Sequence, residues 1–358
     1  MISRQLFDSP PIDLLQNSNL EPASNINKLS PADRVFGWVG DKVKVNGNYK
    51  GQIRFGNVEC KTQDSLHLFG NENDFNTWLP LNNLGQPKPQ QGRFYVAESE
   101  NGEAQKFQRD SKESGYERGR GLRGRKVYPH HSKLPDGYWF EGKEVDFSQI
   151  DNLKTGNRYR EYYRPPGKPQ RDGQNRSMQG WVKPDTEFEF DLHFINLSEV
   201  ELGALIWLLS LPEDHFHRLG GGKPLGFGSI RLSIKDSEIF DGDEIKKRYE
   251  TLDDVKLTKK NLNEYKTTFE NILNSVYKDA NLLEIFKRAS KGFEDGKPIR
   301  YPRTTEKPYE TNNRGQEQSE SFRWFVANNG KKGMKLSLPD LLEDDGFPRI
   351  PEKSRKRR

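Results

Sequence analysis

Apolar and polar residues alternate most strictly between Thr186 and Phe194. Phe188, Phe190, Leu192 and Phe194 fall on one face, and Glu187, Glu189, Asp191 and His193 on the other. That period of two predicts a half-buried strand. Gly51–Val58 repeats the pattern, with Ile53 and Phe55 opposite Gln52 and Arg54. The period then changes. Ser198, with Glu201 three residues on, forms a capping-box signature for a helix over Glu199–Ser210. Val200, Leu202, Leu205, Ile206, Trp207, Leu208 and Leu209 surround that helix, so burial on more than one side is expected. Pro212 follows its end, and Ser229–Ile234 alternates again as a strand. Leu262, Tyr265, Phe269, Ile272, Leu273 and Val276 recur at helical spacing, and a further helix through Leu282, Ile285 and Phe286 is expected to end near Gly292.

Strand, helix, glycine-rich loop and strand make half of a ferredoxin-like unit. The fold class expected is therefore α+β, an antiparallel sheet with helices. Between helix and final strand the chain reads Leu219-Gly-Gly-Gly-Lys-Pro-Leu-Gly-Phe-Gly-Ser-Ile-Arg-Leu232. Gly220, Gly221, Gly222, Gly226 and Gly228 allow left-handed backbone and close approach. Free amides beside the Lys223 cation suit phosphate oxygens. Pro224 after Lys223 excludes a P-loop, and the element order excludes a dinucleotide fingerprint. A plain glycine turn before a strand fits the same residues.

Charge adds a second line. Arg109–Lys133 carries eight Lys or Arg against three acids, including Arg118, Arg120, Arg123, Arg125 and Lys126, interleaved with Tyr116, Tyr128, His130 and His131. Arg158–Arg176 carries six against two, including Arg160 and Arg164, beside Tyr159, Tyr162 and Tyr163. Cations for phosphates and rings for bases are the ingredients of single-stranded nucleic-acid binding. Either patch alone also fits a solvated loop. Over the whole 358 residues the net charge is +5, with 32% hydrophobic and 31% charged residues, so a modest core with long polar insertions is expected. The single Cys60 excludes a disulfide framework and a multi-cysteine zinc site. With no apolar run of membrane-spanning length and no signal-peptide core, the expectation is a cytoplasmic protein.

Several segments together resemble the RAMP superfamily of CRISPR-associated proteins, closest to backbone-type subunits of type III effector complexes. They are Ser30-Pro-Ala-Asp-Arg-Val-Phe-Gly37, the strand at Gly51–Val58, Leu122-Arg-Gly-Arg-Lys-Val-Tyr128 with His130-His131, Asn196-Leu-Ser-Glu-Val-Glu-Leu-Gly-Ala-Leu205, and above all the glycine loop. The resemblance covers Leu29 to Arg303. It implies a ferredoxin-like, RRM-like core that binds CRISPR RNA, and target RNA beside it, while packing against other RAMP subunits. It also implies no required cofactor, with a divalent metal needed if target RNA is cut. Family members usually begin with a strand, a loop and a helix bearing a Gly-Ser-Ser-Leu-Arg-Gly-like start, and the loop can carry a catalytic aspartate. No such segment precedes Leu29, so the N-terminal part of the fold reads as incomplete, supplied by a neighbouring polypeptide or by an atypical start.

The expected organisation is an irregular segment at 1–28, the core at 29–240 with basic insertions over about 85–180, a helical extension at 241–300, and a C-terminal segment at 301–358 with a mobile basic tail. For RNA cleavage the candidates are Asp33 as a metal-binding carboxylate, and His130 and His131 as acid or base, with His215 and His217 near the loop. Asp33 equally fits a turn or cap aspartate. The principal expectation is a non-catalytic RNA-binding subunit. The alternatives are a histidine-based endoribonuclease and a scaffold whose basic loops bind acidic proteins.

Overall fold

A computed structural model describes residues 7–17, 20–40, 47–82, 84, 89–105, 115–123, 127–139, 149–150, 158–163, 176–251, 260–276, 282–297, 299–304, 309–311, 317–330, 333–344, 346–348 and 350. They form a mixed α and β structure of helices and two-stranded antiparallel ladders.

Helix α1 (Pro11–Asn17) begins at the second residue of Pro10-Pro11. The segment expected to be irregular thus holds a helix. Proline fits the first helical position, where its missing N–H costs nothing, and Leu14 buries fully beside Val96 and Tyr116. Helix α2 (Pro31–Phe36) is capped by Ser30 and ends at Gly37. Strand β1 (Trp38–Val39) pairs with β2 (Asn48–Tyr49).

The main β feature is a long antiparallel ribbon. One edge carries β3 (Ile53–Phe55), β4 (Glu59–Cys60), β5 (Leu66–Leu68) and β6 (Leu79–Pro80). Two short strands, β7 (Gln149–Ile150) and β8 (Arg158–Tyr159), pair with each other before the chain returns. The returning edge carries β9 (Ser177–Met178), β10 (Gly180–Val182), β11 (Phe188–Glu189) and β12 (Leu192–Phe194). Between the pairs Phe55↔Leu192 and Glu59↔Glu189, three residues on one edge face two on the other, which is a bulge. Lone backbone bonds such as Lys61 N–H to the Glu187 carbonyl (2.9 Å) and Lys183 N–H to the Ser65 carbonyl (2.8 Å) carry the ribbon between its ladders. The alternating segments 186–194 and 51–58 therefore hold strands that are each other's partners, although Phe55, expected on the inner face with Ile53, is exposed. Phe190, Leu192 and Phe194 are half-buried while Glu189, Asp191 and His193 are exposed, as the alternation requires; Phe188, expected on the inner face, is exposed.

Helix α3 (Glu199–Leu209) follows with the expected capping box: Glu201 N–H bonds the Ser198 hydroxyl, and the Glu201 carboxylate accepts from Ser198 N–H (2.9 Å). Arg34 in the last turn of α2 reaches that carboxylate at 2.6 Å, tying the end of α2 to the start of α3. Strands β13 (His217–Arg218) and β14 (Ser229–Ile230) flank the glycine loop. The strands on either side of α3 and the loop, expected in one ferredoxin-like sheet, lie in separate ladders, β12 with β3 and β14 with β13. Beyond α4 (Gly242–Thr251), helix α5 (Leu262–Val276) packs on α3. The crossing is close because α3 offers Gly203, where a Cβ would strike the Tyr265 carbonyl oxygen. Trp207 donates to Glu270 (2.9 Å) and lies against Phe269 and Phe286. Helix α6 (Leu282–Lys291) ends before Gly292, as expected.

Strands β15 (Tyr309–Thr311) and β16 (Glu317–Ser319) pair, and α7 (Glu320–Asn329) follows. Trp324 is fully buried, with its indole N–H on the Pro348 carbonyl (2.9 Å). The basic tail 351–358 lies outside the described residues. Among the described residues, two clusters of buried side chains stand out. The larger joins Phe69, Leu79, Leu81, Tyr138, Tyr162 and Leu225 and is edged by Trp139, Trp181 and Phe227; the other is Leu14 with Val96 and Tyr116. Among the described residues, no helix is long and apolar enough to cross a membrane.

Candidate nucleic-acid interface

The glycine loop joins β13 to β14 and is closed at its base by Leu219 N–H on the Gly228 carbonyl (2.8 Å). Gly228 must be glycine: φ is +78°, and a Cβ would strike the Leu219 carbonyl oxygen. Pro224 and Leu225 form one 3-10 turn with Lys223, held by Leu225 N–H to the Gly222 carbonyl (2.8 Å). Leu225 is buried in the larger core, and Phe227 packs on Trp139 at 4.9 Å. Two apolar side chains thus anchor the loop from below.

Its upper rim is open. Nothing lies within 4 Å of where side chains at Gly220 and Gly221 would stand. Gly220 (φ +80°) and Gly222 (φ +70°) are left-handed while Gly221 between them is not. Alternating handedness turns successive amides toward one concavity, which favours anions. Among the described residues, the amides of Gly220, Gly221, Gly222 and Lys223 donate to no acceptor, and the half-buried Lys223 side chain pairs with no acid.

Behind the rim stands a polar relay. The Arg218 guanidinium bonds the Lys223 carbonyl (3.1 Å) and, through its other terminal nitrogen, the Ser229 hydroxyl. It therefore spans the loop from one side to the other. His130 Nδ1 meets the same hydroxyl at 2.7 Å, and its ring stacks on Phe216 with centroids 4.1 Å apart. Burial, then Arg218 and His131, lower the His130 pKa to about 4, so the ring is neutral at pH 7 and accepts the Ser229 proton. Burial likewise lowers Arg218 to about 10, leaving it charged. His131 Nδ1 donates to the Lys297 carbonyl at 2.5 Å, and burial holds its pKa below the usual value.

The fold therefore brings His130 to the glycine loop across 99 residues of sequence. Arg218, Ser229 and Phe216 were not singled out by the sequence. They carry no local signature, because the strand His217–Arg218 that pairs with Ser229–Ile230 has no alternating pattern of its own. His215 and His217 lie near the loop but have other partners: His215 bonds Asp214 (2.7 Å), itself held by Lys291 (2.9 Å), and His217 Nε2 donates to the Leu208 carbonyl (2.8 Å).

The arginine patches fare differently. Arg120 is buried between Glu98 and Glu117. Arg123 donates to the Leu338 (2.6 Å) and Pro339 (2.8 Å) carbonyls, and burial lowers its pKa. Arg160 is buried on the Gly137 carbonyl (2.9 Å). In place of the open surface expected of them, these three have partners within the chain. Tyr116 and Tyr162, expected as stacking rings, are core residues. Arg118 is exposed. Arg125, Lys126 and Arg164 lie outside the described residues. Asp33 is a cap: its carboxylate accepts from the Ser30 amide (2.9 Å) and hydroxyl (2.8 Å). Among the described residues, no three His, Cys, Asp or Glu side chains converge as a metal-binding group. No protein-family model matches this chain, and no curated protein matches it in sequence.

Proposed function

We propose that this chain is an RNA-binding subunit of a type III CRISPR effector complex, with a ferredoxin-like core of the RAMP type and other RAMP subunits as neighbours. The observation that carries the reading is the row of four amides from Gly220 to Lys223 that, among the described residues, meet no acceptor, beside a lysine with no acidic partner among them. A phosphate of CRISPR RNA accepts from those amides and from Lys223. Arg118 adds a cation from the first basic patch, and Arg218 and His130 hold the loop's shape. The sequence resemblance supports CRISPR RNA as the partner, and the open rim of the loop supports a phosphate contact.

The test is to co-express the chain with its genomic neighbours, purify it through a tag and sequence the RNA retained. Repeat–spacer RNA of defined length is expected. Absent or random cellular RNA would reject the reading and favour a scaffold that binds acidic proteins. One observation favours a nuclease as second reading: His130, neutral at pH 7 beside Ser229 and Arg218, is in the form a general base requires. A binding subunit predicts that His130→Ala leaves RNA length unaltered; longer RNA would identify the nuclease.

A further inference from the structure

Past Ile230 the chain keeps a strand's alternation without a strand's partners. Leu232 and Ile234 are half-buried, while Arg231, Ser233 and Lys235 are exposed. Among the described residues, no backbone N–H or C=O from Arg231 to Lys235 is hydrogen-bonded. The ladder with β13 ends at the pair His217↔Ile230. In an antiparallel ladder successive residues point their backbone groups to opposite edges. Gly228 turns its carbonyl to Leu219, so in this phase Arg231 and Ser233 face the edge away from β13.

Next to this segment is an open cavity of about 310 Å³. Leu232 and Ile234 line one side, Ile206 and Leu211 from the end of α3 another, and Leu262 and Lys266 of α5 a third. Lys266 is the one charged residue of the lining, half-buried and without an acidic partner among the described residues. Lys235, at the far end, is held by Glu189 at 2.9 Å.

We propose that this edge takes up an extended strand from another polypeptide, one with apolar side chains at alternate positions and a carboxylate that meets Lys266. Main-chain bonds to Arg231 and Ser233 would give such strand addition its affinity, and the cavity its selectivity for every second side chain. The cation in the lining decides the partner's charge. A second copy of this edge is disfavoured, because it would bring Arg231 and Lys266 against their own kind. The inference is independent of the RNA reading, since it uses none of the loop residues.

The test is amide exchange on the full chain, resolved to single residues, with and without an acetylated nine-residue peptide alternating Val and Thr and ending in two Glu. Fast exchange at Arg231 and Ser233 is expected in the chain alone, slowing about tenfold with peptide. Lys266→Glu should weaken peptide binding about tenfold. Ser233→Pro, which removes a donor from the edge, should abolish it; should the proline variant unfold, Lys266→Glu still decides. Slow exchange in the free chain, no slowing at about 1 mM peptide, or equal slowing in the Lys266→Glu chain would each overturn the proposal. Slowing by a short RNA and not by the peptide would overturn it too, and would give the edge to nucleic acid.

Discussion

The glycine loop and the first arginine-rich patch carry the same message in sequence, cations amid glycines, yet the fold treats them oppositely. In the loop, Leu225 and Phe227 are anchored below while the Gly220–Lys223 amides meet no acceptor among the described residues. In the patch, Arg120 and Arg123 are drawn inward while Arg118 stays exposed. Arg123 clamps two carbonyls of the C-terminal segment, and Arg120 lies between two glutamates. An arginine has five donors, and in the interior any unbonded carbonyl is costly, so the two requirements meet. A lysine in a glycine turn finds no such carbonyls. Charge density along a chain thus says little about charge on its surface.

The largest effect that could break this contrast is expected from Arg123→Ala. Losing two charged-donor bonds should cost about 2–4 kcal/mol in chemical unfolding, with RNA affinity per folded molecule unchanged. Intact stability together with lost affinity would move Arg123 back to the RNA path. Gly228→Ala comes next. A left-handed non-glycine residue costs about 1–3 kcal/mol, and the overlap with the Leu219 carbonyl adds to it. Gly220→Ala should cost less, having open space around it; equal melting temperatures for the two variants would contradict the anchored-base, open-rim description.

Smaller still is Lys223→Ala. Its melting temperature should match the parent, while affinity for a labelled single-stranded RNA falls about three- to tenfold and the salt slope drops by about one. An unchanged slope would remove Lys223 from the phosphate contacts. The finest probe is pH. His130 has its folded pKa lowered to about 4 by burial and Arg218, so the unfolded chain takes up its proton first. Stability should be flat above about pH 6.5 and fall as pH drops toward 4, with His131 adding in the same direction. His130→Gln should shrink that fall when melts at pH 7 and pH 4.5 are compared. A slope identical to the parent's would mean that His130 is not buried beside Arg218.

Much of the secondary structure was legible because its causes are local. Ser198 and Glu201 fix the start of α3, Gly292 follows the end of α6, and alternation marks both ribbon strands. The N-terminal helix was missed because Pro10-Pro11 reads as a turn until Leu14 has a core to enter. The alternation of Ser229–Ile234 predicts one strand, yet its ladder stops at Ile230, since pairing depends on a second segment that the pattern does not contain. Of the site, the glycine loop and His130 were visible, whereas Arg218 and Ser229 carried no signature of their own.

What the sequence determined by itself is what neighbours along the chain decide: caps, turns, alternation, and the glycines that permit a left-handed backbone. The tertiary structure decided which strands pair, which arginines are spent on carbonyls, and which histidine reaches the loop. Those outcomes rest on distances between residues far apart in sequence, such as the 2.7 Å between His130 and Ser229, and local periodicity carries no information about them.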